Sequence, residues 1–157
     1  RLRTTPVPPA RLLWAQLTVH VGVAVVAAAI AIVVAILVFD VPFPKSPLWF
    51  AISFLLAAAS TFSIGLLVGA LARTTVSAQA VGMAIYFPML FFAGLWIPRA
   101  IMSDGLRTVS DFTPLGSSVQ ALADSWFGVT PNATNLAVMA AYAVVVGFIA
   151  VRVFRWE

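Results

Sequence analysis

Hydrophobic positions run in long uninterrupted blocks along this chain, and the polar positions gather between them. Residues 12–39, 46–72, 74–98 and 125–151 contain no charged side chain, and each block exceeds the ~20 residues a helix needs to cross a hydrocarbon core. Runs such as VAVVAAAIAIVVAILVF are apolar on every face. They lack the apolar–polar alternation over about ten residues that marks a transmembrane β-strand. The pattern predicts an all-α, polytopic membrane protein: one transmembrane domain over 1–157 with four spans near 14–39, 48–72, 75–97 and 133–152.

The connection between the third and fourth spans has a pattern of its own. Thr113 and Pro114 make an N-cap and first-position pair, after which Leu115, Val119, Leu122 and Trp126 fall on one helical face, with Ser118, Asp124 and Ser125 elsewhere. This predicts a helical hairpin over 99–127 that either lies in the interface or dips into the membrane as a re-entrant element. Pro88 is expected to kink or break the third span, because it lacks an N–H and its ring clashes with the preceding turn; Gly94 and Pro98 then punctuate the exit. In the second span Ser53, Ala57, Thr61, Gly65 and Gly69 recur every four residues, a small-residue stripe that admits a second helix at close range and is read as packing, within the chain or between protomers.

Composition sharpens the class. Hydrophobic residues make up 62% of the chain and charged residues 9%, and the mean hydropathy is +1.07, far from the balance of a soluble domain. Alternate connections differ in basic content. One side holds Arg1, Arg3, Arg11, Arg73, Arg152 and Arg155, the other Lys45, Arg99 and Arg107 with Asp40, Asp104, Asp111 and Asp124. The positive-inside rule places the first side, and both termini, in the cytoplasm. That rule accounts for the net charge of +4, and no aromatic-interleaved basic patch suggests nucleic acid. The segment RLRTTPVPPAR combines three arginines with three prolines; it is either a docking element or an anchor beside anionic lipid. The chain opens on Arg1 rather than Met, so it is expected to be part of a longer polypeptide.

Candidate chemistry is sparse. There is no cysteine, hence no disulfide and no thiolate metal site, and the single His20 cannot build a metal site alone. No phosphate-binding loop, zinc pattern or Ser/His/Asp set is present, so neither catalysis nor a cofactor is expected. Gln16, His20, Ser60, Thr61, Ser63, Ser77 and Gln79 lie within spans and are read as hydrogen-bonding glue between helices, with substrate contact or proton movement the alternative for His20. No Asp, Glu, Lys or Arg lies mid-span, which disfavours a self-powered ion-coupled pump.

From residue 83 onward the segment MAIYFPMLFFAGLWIPRAIMSDGLRTVSDFTPLGSSVQAL resembles the type-2 permeases of ATP-binding-cassette transporters, the daunorubicin-resistance-like bacterial exporters in particular. The resemblance rests on Pro88, Gly94, Pro98, Met102, the segment Thr113 to Leu115 and the basic end VRVFRWE. RLRTTPVPP is similar to the loop after that family's second helix, so the chain would hold helices three to six. It departs from the family at Ser103, Asp104 and Gly105, where many relatives carry Pro and a bulky residue. The resemblance implies a multi-pass protein of the bacterial cytoplasmic membrane that dimerises with a second permease, has no catalytic site of its own and docks a separate ATPase subunit. It further implies export of hydrophobic or amphipathic compounds, drug-, antibiotic- or lipid-like. On this reading Arg1, Arg3 and Arg11 couple to the ATPase, Thr61, Gly65 and Gly69 pack helices, and Pro88, Gly94, Pro98, Met102 and Pro114 belong to an outer gate. A non-transporting membrane anchor or assembly subunit is the alternative.

Overall fold

A computed structural model describes residues 9–153, with side chains from Thr18 onward. Arg1, Arg3 and the terminal residues 154–157, Arg155 among them, lie outside the described residues, as does the side chain of Arg11. The helices are α1 (Pro9–Phe39), α2 (Pro47–Leu71), α3 (Thr75–Phe92), α4 (Asp104–Asp111), α5 (Pro114–Phe127), α6 (Ala133–Ala141) and α7 (Gly147–Val153). A 3-10 turn, Arg99–Ile101, precedes α4, and a π-helical segment, Tyr142–Val146, joins α6 to α7. Among the described residues four stretches are long and apolar enough to cross a membrane: Thr18–Phe39, Pro47–Leu71, Thr75–Phe92 and Ala133–Val153. The chain is an all-helical, multi-pass membrane protein.

The chain divides into two compact units, Arg1–Phe43 and Pro44–Glu157. The first is essentially α1, an apolar helix whose Val23, Ile30, Leu37 and Phe39 are all exposed, as lipid-facing side chains are. His20 lies on this helix. Asp40, with φ 50°, turns the chain out of it, and the Val41 N–H donates to the Ala35 carbonyl at 3.1 Å.

The second unit is built around α2 and α5. Pro47 begins α2, where a missing N–H costs nothing. α5 opens on the expected cap: the Gly116 N–H donates to Thr113 Oγ1 at 3.2 Å, and Pro114 occupies the first turn. α5 ends on Gly128, left-handed at φ 83°. The N–H groups of Lys45 and Ser46 donate to the carbonyls of Trp126 (3.1 Å) and Ser125 (3.2 Å), fixing the end of α5 beside the start of α2. Its beginning, Pro114 and Leu115, instead lies level with Ile64 and Val68, roughly 25 Å along α2. α5 therefore runs antiparallel to α2 and is re-entrant, reaching deep beside a spanning helix and returning.

Its buried face is the small-residue one. Gly116, Ser117, Ser118, Ala121 and Ser125 are buried, whereas Val119 is exposed. Small residues let the backbones of α5, α2 and α6 approach closely, which a bilayer rewards more than bulk. The hydroxyls satisfy themselves locally: Ser118 Oγ donates to the Pro114 carbonyl at 2.5 Å and Ser125 Oγ to that of Ala121 at 2.7 Å. Ser118 Oγ also meets Met139 Sδ at 3.2 Å, across to α6. Phe50 and Trp126 close the shared end with an edge-on ring contact at 5.6 Å.

One further expectation is corrected. The third span ends at Phe92, short of residue 97, because Gly94 adopts φ 89° and ends the helix. Pro88 does not break it, since α3 continues for another turn beyond. The last span is not a uniform α-helix: at its π segment Ser63 Oγ donates to the Tyr142 carbonyl at 3.1 Å, besides that of Ser60 at 2.7 Å. Ser63 is thus glue between helices, as read from sequence, while Ser60 and Thr61 bond back to Ala57.

Candidate functional site

α2 and α3 are joined by a short turn, and Thr74 and Ser77 form a reciprocal capping box there, each side chain 3.1 Å from the other's N–H. Beyond that turn the two helices do not close on each other. α3 has no buried residue, and between it and α2 lies a cleft of ≈ 450 Å³. Gly65 and Gly69 of α2 face Gly82, Tyr86 and Met89 of α3 across it, and Leu115 at the tip of α5 lies over it. An adjoining cleft of ≈ 350 Å³ is bounded by Thr113, Pro114, Tyr142 and Val146. Ile64, Val68, Ile85 and Met89 line both spaces and partition them.

The small-residue stripe of α2 is not one packing seam. Steps of four residues advance a 3.6-residue helix by about 40° each, so the stripe starts on the buried face at Ser53 and ends on the open one. Gly65 and Gly69 have no neighbour within 4 Å of where a Cβ would stand. No helix among the described residues takes up the close approach they permit, and Thr61, Gly65 and Gly69 line the cleft instead.

The cleft is apolar with a few neutral polar groups, Thr61, Gln79 and Tyr86, and no charged side chain lines it. Gln79, Gly82 and Tyr86 fall at i, i+3 and i+7, one face of α3. That spacing is visible in the sequence, where Gln79 reads as glue between helices and Gly82 and Tyr86 carry no separate signal among so many apolar neighbours.

The hairpin over the cleft is tied together at one polar knot. Arg99 Nη2 lies 2.8 Å from Asp111 Oδ2 and 2.7 Å from Oδ1, and Nη1 donates to Ser110 Oγ at 3.3 Å. Ser110 Oγ in turn donates to the carbonyl of Phe92, the last residue of α3, at 2.6 Å. Arg107 of α4 reaches back to the carbonyls of Arg99 (3.1 Å) and Ala100 (2.8 Å). Ser117 Oγ holds the Asp111 carbonyl at 2.6 Å and Thr113 Oγ1 that of Ser110 at 2.8 Å. Gly116 is obligatory here: an added Cβ would lie 2.6 Å from Ser110 Oγ and 2.7 Å from Thr113 Oγ1, and closer still to the Ser110 carbonyl oxygen.

The residues singled out from sequence distribute around this construction. Pro114, buried, opens α5 at the rim of the second cleft; Gly94 ends α3; Pro98 caps the 3-10 turn. Met102, which closes that turn, is 4% exposed and is part of the core. Ser103 stands at the N-cap position of α4 without a side-chain cap bond, and Asp104 places an acid in the first turn, where it complements the helix dipole. Arg99, Ser110 and Asp111 carry no joint signal in the sequence, because Arg99 stands eleven and twelve residues before the other two and on a separate element.

Among the described residues no group of His, Cys, Asp and Glu could hold a metal ion. Comparison with curated proteins and with solved structures gave no match. The family model for ABC-2 family transporter protein matches residues 1–152. With its spanning helices and the re-entrant pair of short helices after the third of them, the chain belongs to the ABC-2 family, the membrane-embedded permeases of ATP-binding-cassette transporters.

Proposed function

We propose that this chain is the membrane-spanning part of an ATP-driven exporter of hydrophobic or amphipathic compounds, energised by a separate ATPase subunit. The observation that carries the reading is the uncharged cleft between α2 and α3, whose ≈ 450 Å³ falls in the range of small-molecule sites. A lining without a charged group suits an apolar cargo and leaves no residue to carry a coupling ion, so the free energy must come from outside the cleft. In this proposal both termini and the α2–α3 turn face the cytoplasm of a bacterial cell, Arg1, Arg3 and Arg11 contact the ATPase, and two permease subunits assemble. Closure of the ATPase on ATP rocks the subunits and presents the cleft alternately to either side.

The test is efflux of a neutral fluorescent dye from vesicles containing the permease with its ATPase. At Gly65 and Gly82 an added Cβ meets no atom within 4 Å, so Gly65→Leu and Gly82→Leu direct their side chains into the cleft. They should cut ATP-dependent efflux by more than tenfold while expression and dimer mass are unchanged. Efflux that proceeds without the ATPase, or that ignores both fillings, would sink the proposal. Loss of the dimer in Gly65→Leu would instead show that a partner helix occupies the cleft.

A further inference from the structure

The knot at the hairpin tip is where α3 is hydrogen-bonded to the hairpin. α3 has no buried residue, and its last carbonyl, at Phe92, is held by Ser110 Oγ. The Arg99 guanidinium donates to that same oxygen, so the Ser110 proton is left to point at Phe92. Arg99 is held in turn by both oxygens of Asp111. Asp111 Oδ1 is buried, and it faces the guanidinium at ion-pair distance without hydrogen-bond geometry; with Arg99 displaced it would have no partner. The Arg99 and Asp111 side chains are 32% and 30% exposed, so the pair contributes modest energy of its own, and its effect is to fix the direction of the Ser110 hydroxyl.

The bonds around the knot divide into two sets. Those of Thr113 and Ser117 to the Ser110 and Asp111 carbonyls make the α4–α5 corner one rigid piece, and the bonds of Lys45 and Ser46 anchor the far end of α5. Neither set reaches α3. The Ser110–Phe92 bond, oriented by Arg99 and Asp111, does, and Leu115 over the cleft stands just past the α4–α5 corner.

We propose that Arg99, Ser110 and Asp111 form a latch that holds the hairpin tip against the end of α3 and keeps the cleft shut on the hairpin side. Release separates Phe92 from Ser110 and lets the tip lift as a rigid corner about the anchored end of α5. Ser110 makes the tie, and Arg99 and Asp111 are positioning residues that act through it.

The chain has no cysteine, so single cysteines report access directly. The vesicles used are those in which Lys45→Cys, exposed at the hairpin side, reacts with a membrane-impermeant maleimide. Leu115→Cys should react slowly there without ATP. Adding Ser110→Ala or Asp111→Asn should raise its rate at least tenfold, whereas Asp111→Glu, which keeps the carboxylate, should stay within about threefold of the parent. Ala121→Cys, fully buried in α5, should remain protected in every background. An unchanged rate at Leu115→Cys, equal rates for Asp111→Asn and Asp111→Glu, or exposure of Ala121→Cys together with Leu115→Cys overturns the latch. The labelling needs neither cargo nor ATPase, so failure of the export reading would leave this result standing, and the reverse.

Discussion

Replacing Gly116 with alanine tests the hairpin corner on which both clefts depend. The added methyl would sit 2.6 Å from Ser110 Oγ and 2.7 Å from Thr113 Oγ1, where ordinary carbon–oxygen contact needs more than 3 Å, and still nearer the Ser110 carbonyl oxygen. Relief requires α5 to move off the α4 corner, because that carbonyl is backbone and cannot swing aside. The shift breaks the Thr113 cap on the Gly116 N–H, a loss of about 1 kcal/mol, and adds overpacking of about 1–3 kcal/mol. The total, ~2–4 kcal/mol, corresponds to a fall in melting temperature on the order of 5–15 °C for a chain of this size. Gly105→Ala is the matched control. It sits inside α4 with nothing within 4 Å of a new Cβ, and alanine is the better helix former by about 1 kcal/mol, so it should be neutral or stabilising. Both are read by thermal unfolding of the purified permease in one detergent. Gly116→Ala melting at the temperature of the parent, or alongside Gly105→Ala, would refute the steric account of the corner.

Other outcomes follow from single contacts. Ser63→Ala removes the hydroxyl from the Tyr142 carbonyl and should cost about 0.6–1.7 kcal/mol, seen as a lower midpoint in denaturant-induced unfolding; no change would mean the carbonyl has another partner. Deleting Val144, exposed within the π segment, should return the last span to an α-helix with its flanking faces in place, so the protein should still elute as one sharp peak in size-exclusion chromatography. Deleting Ala137 of α6 should not, because it turns every later residue by about 100°. Gly128→Ala must adopt φ 83° and would bring its Cβ to 3.0 Å from that of Lys45; a loss of about 1–2 kcal/mol should appear as a lower melting temperature, and a parent-like value would contradict it.

The spans were legible because a bilayer imposes one strong requirement, an apolar run of sufficient length, and this chain meets it four times. The Thr113–Pro114 start of α5 was legible too, since capping is local chemistry. What could not be read was orientation about the helix axis. Hydrophobicity separates inside from outside in water, but in lipid both faces are apolar, so the large residues of α5 do not say which face packs, and the buried one carries its serines. The stripe on α2 does not follow one face, its four-residue step drifting from Ser53 in the core to Gly69 on the cleft. Arg99 and Asp111 are brought together by tertiary structure alone. The π segment Tyr142–Val146 contains no proline or glycine to announce it.

The serine-lined α5 also constrains how the protein can be made. Its fourteen residues span roughly 21 Å, short of a ~30 Å core, and alone its small-residue face has no helix to pack against. It cannot be retained as a span during synthesis. Its chain must first pass with its neighbours to the far side, and sink back only when α2 and α6 are present to receive its small-residue face. Biogenesis therefore has a late step after all four spans are in place. In pulse-labelled membranes a cysteine at Ser118, fully shielded in the finished fold, is expected to react early and become protected only after α6 has been inserted. Protection before that point would show that α5 enters by itself.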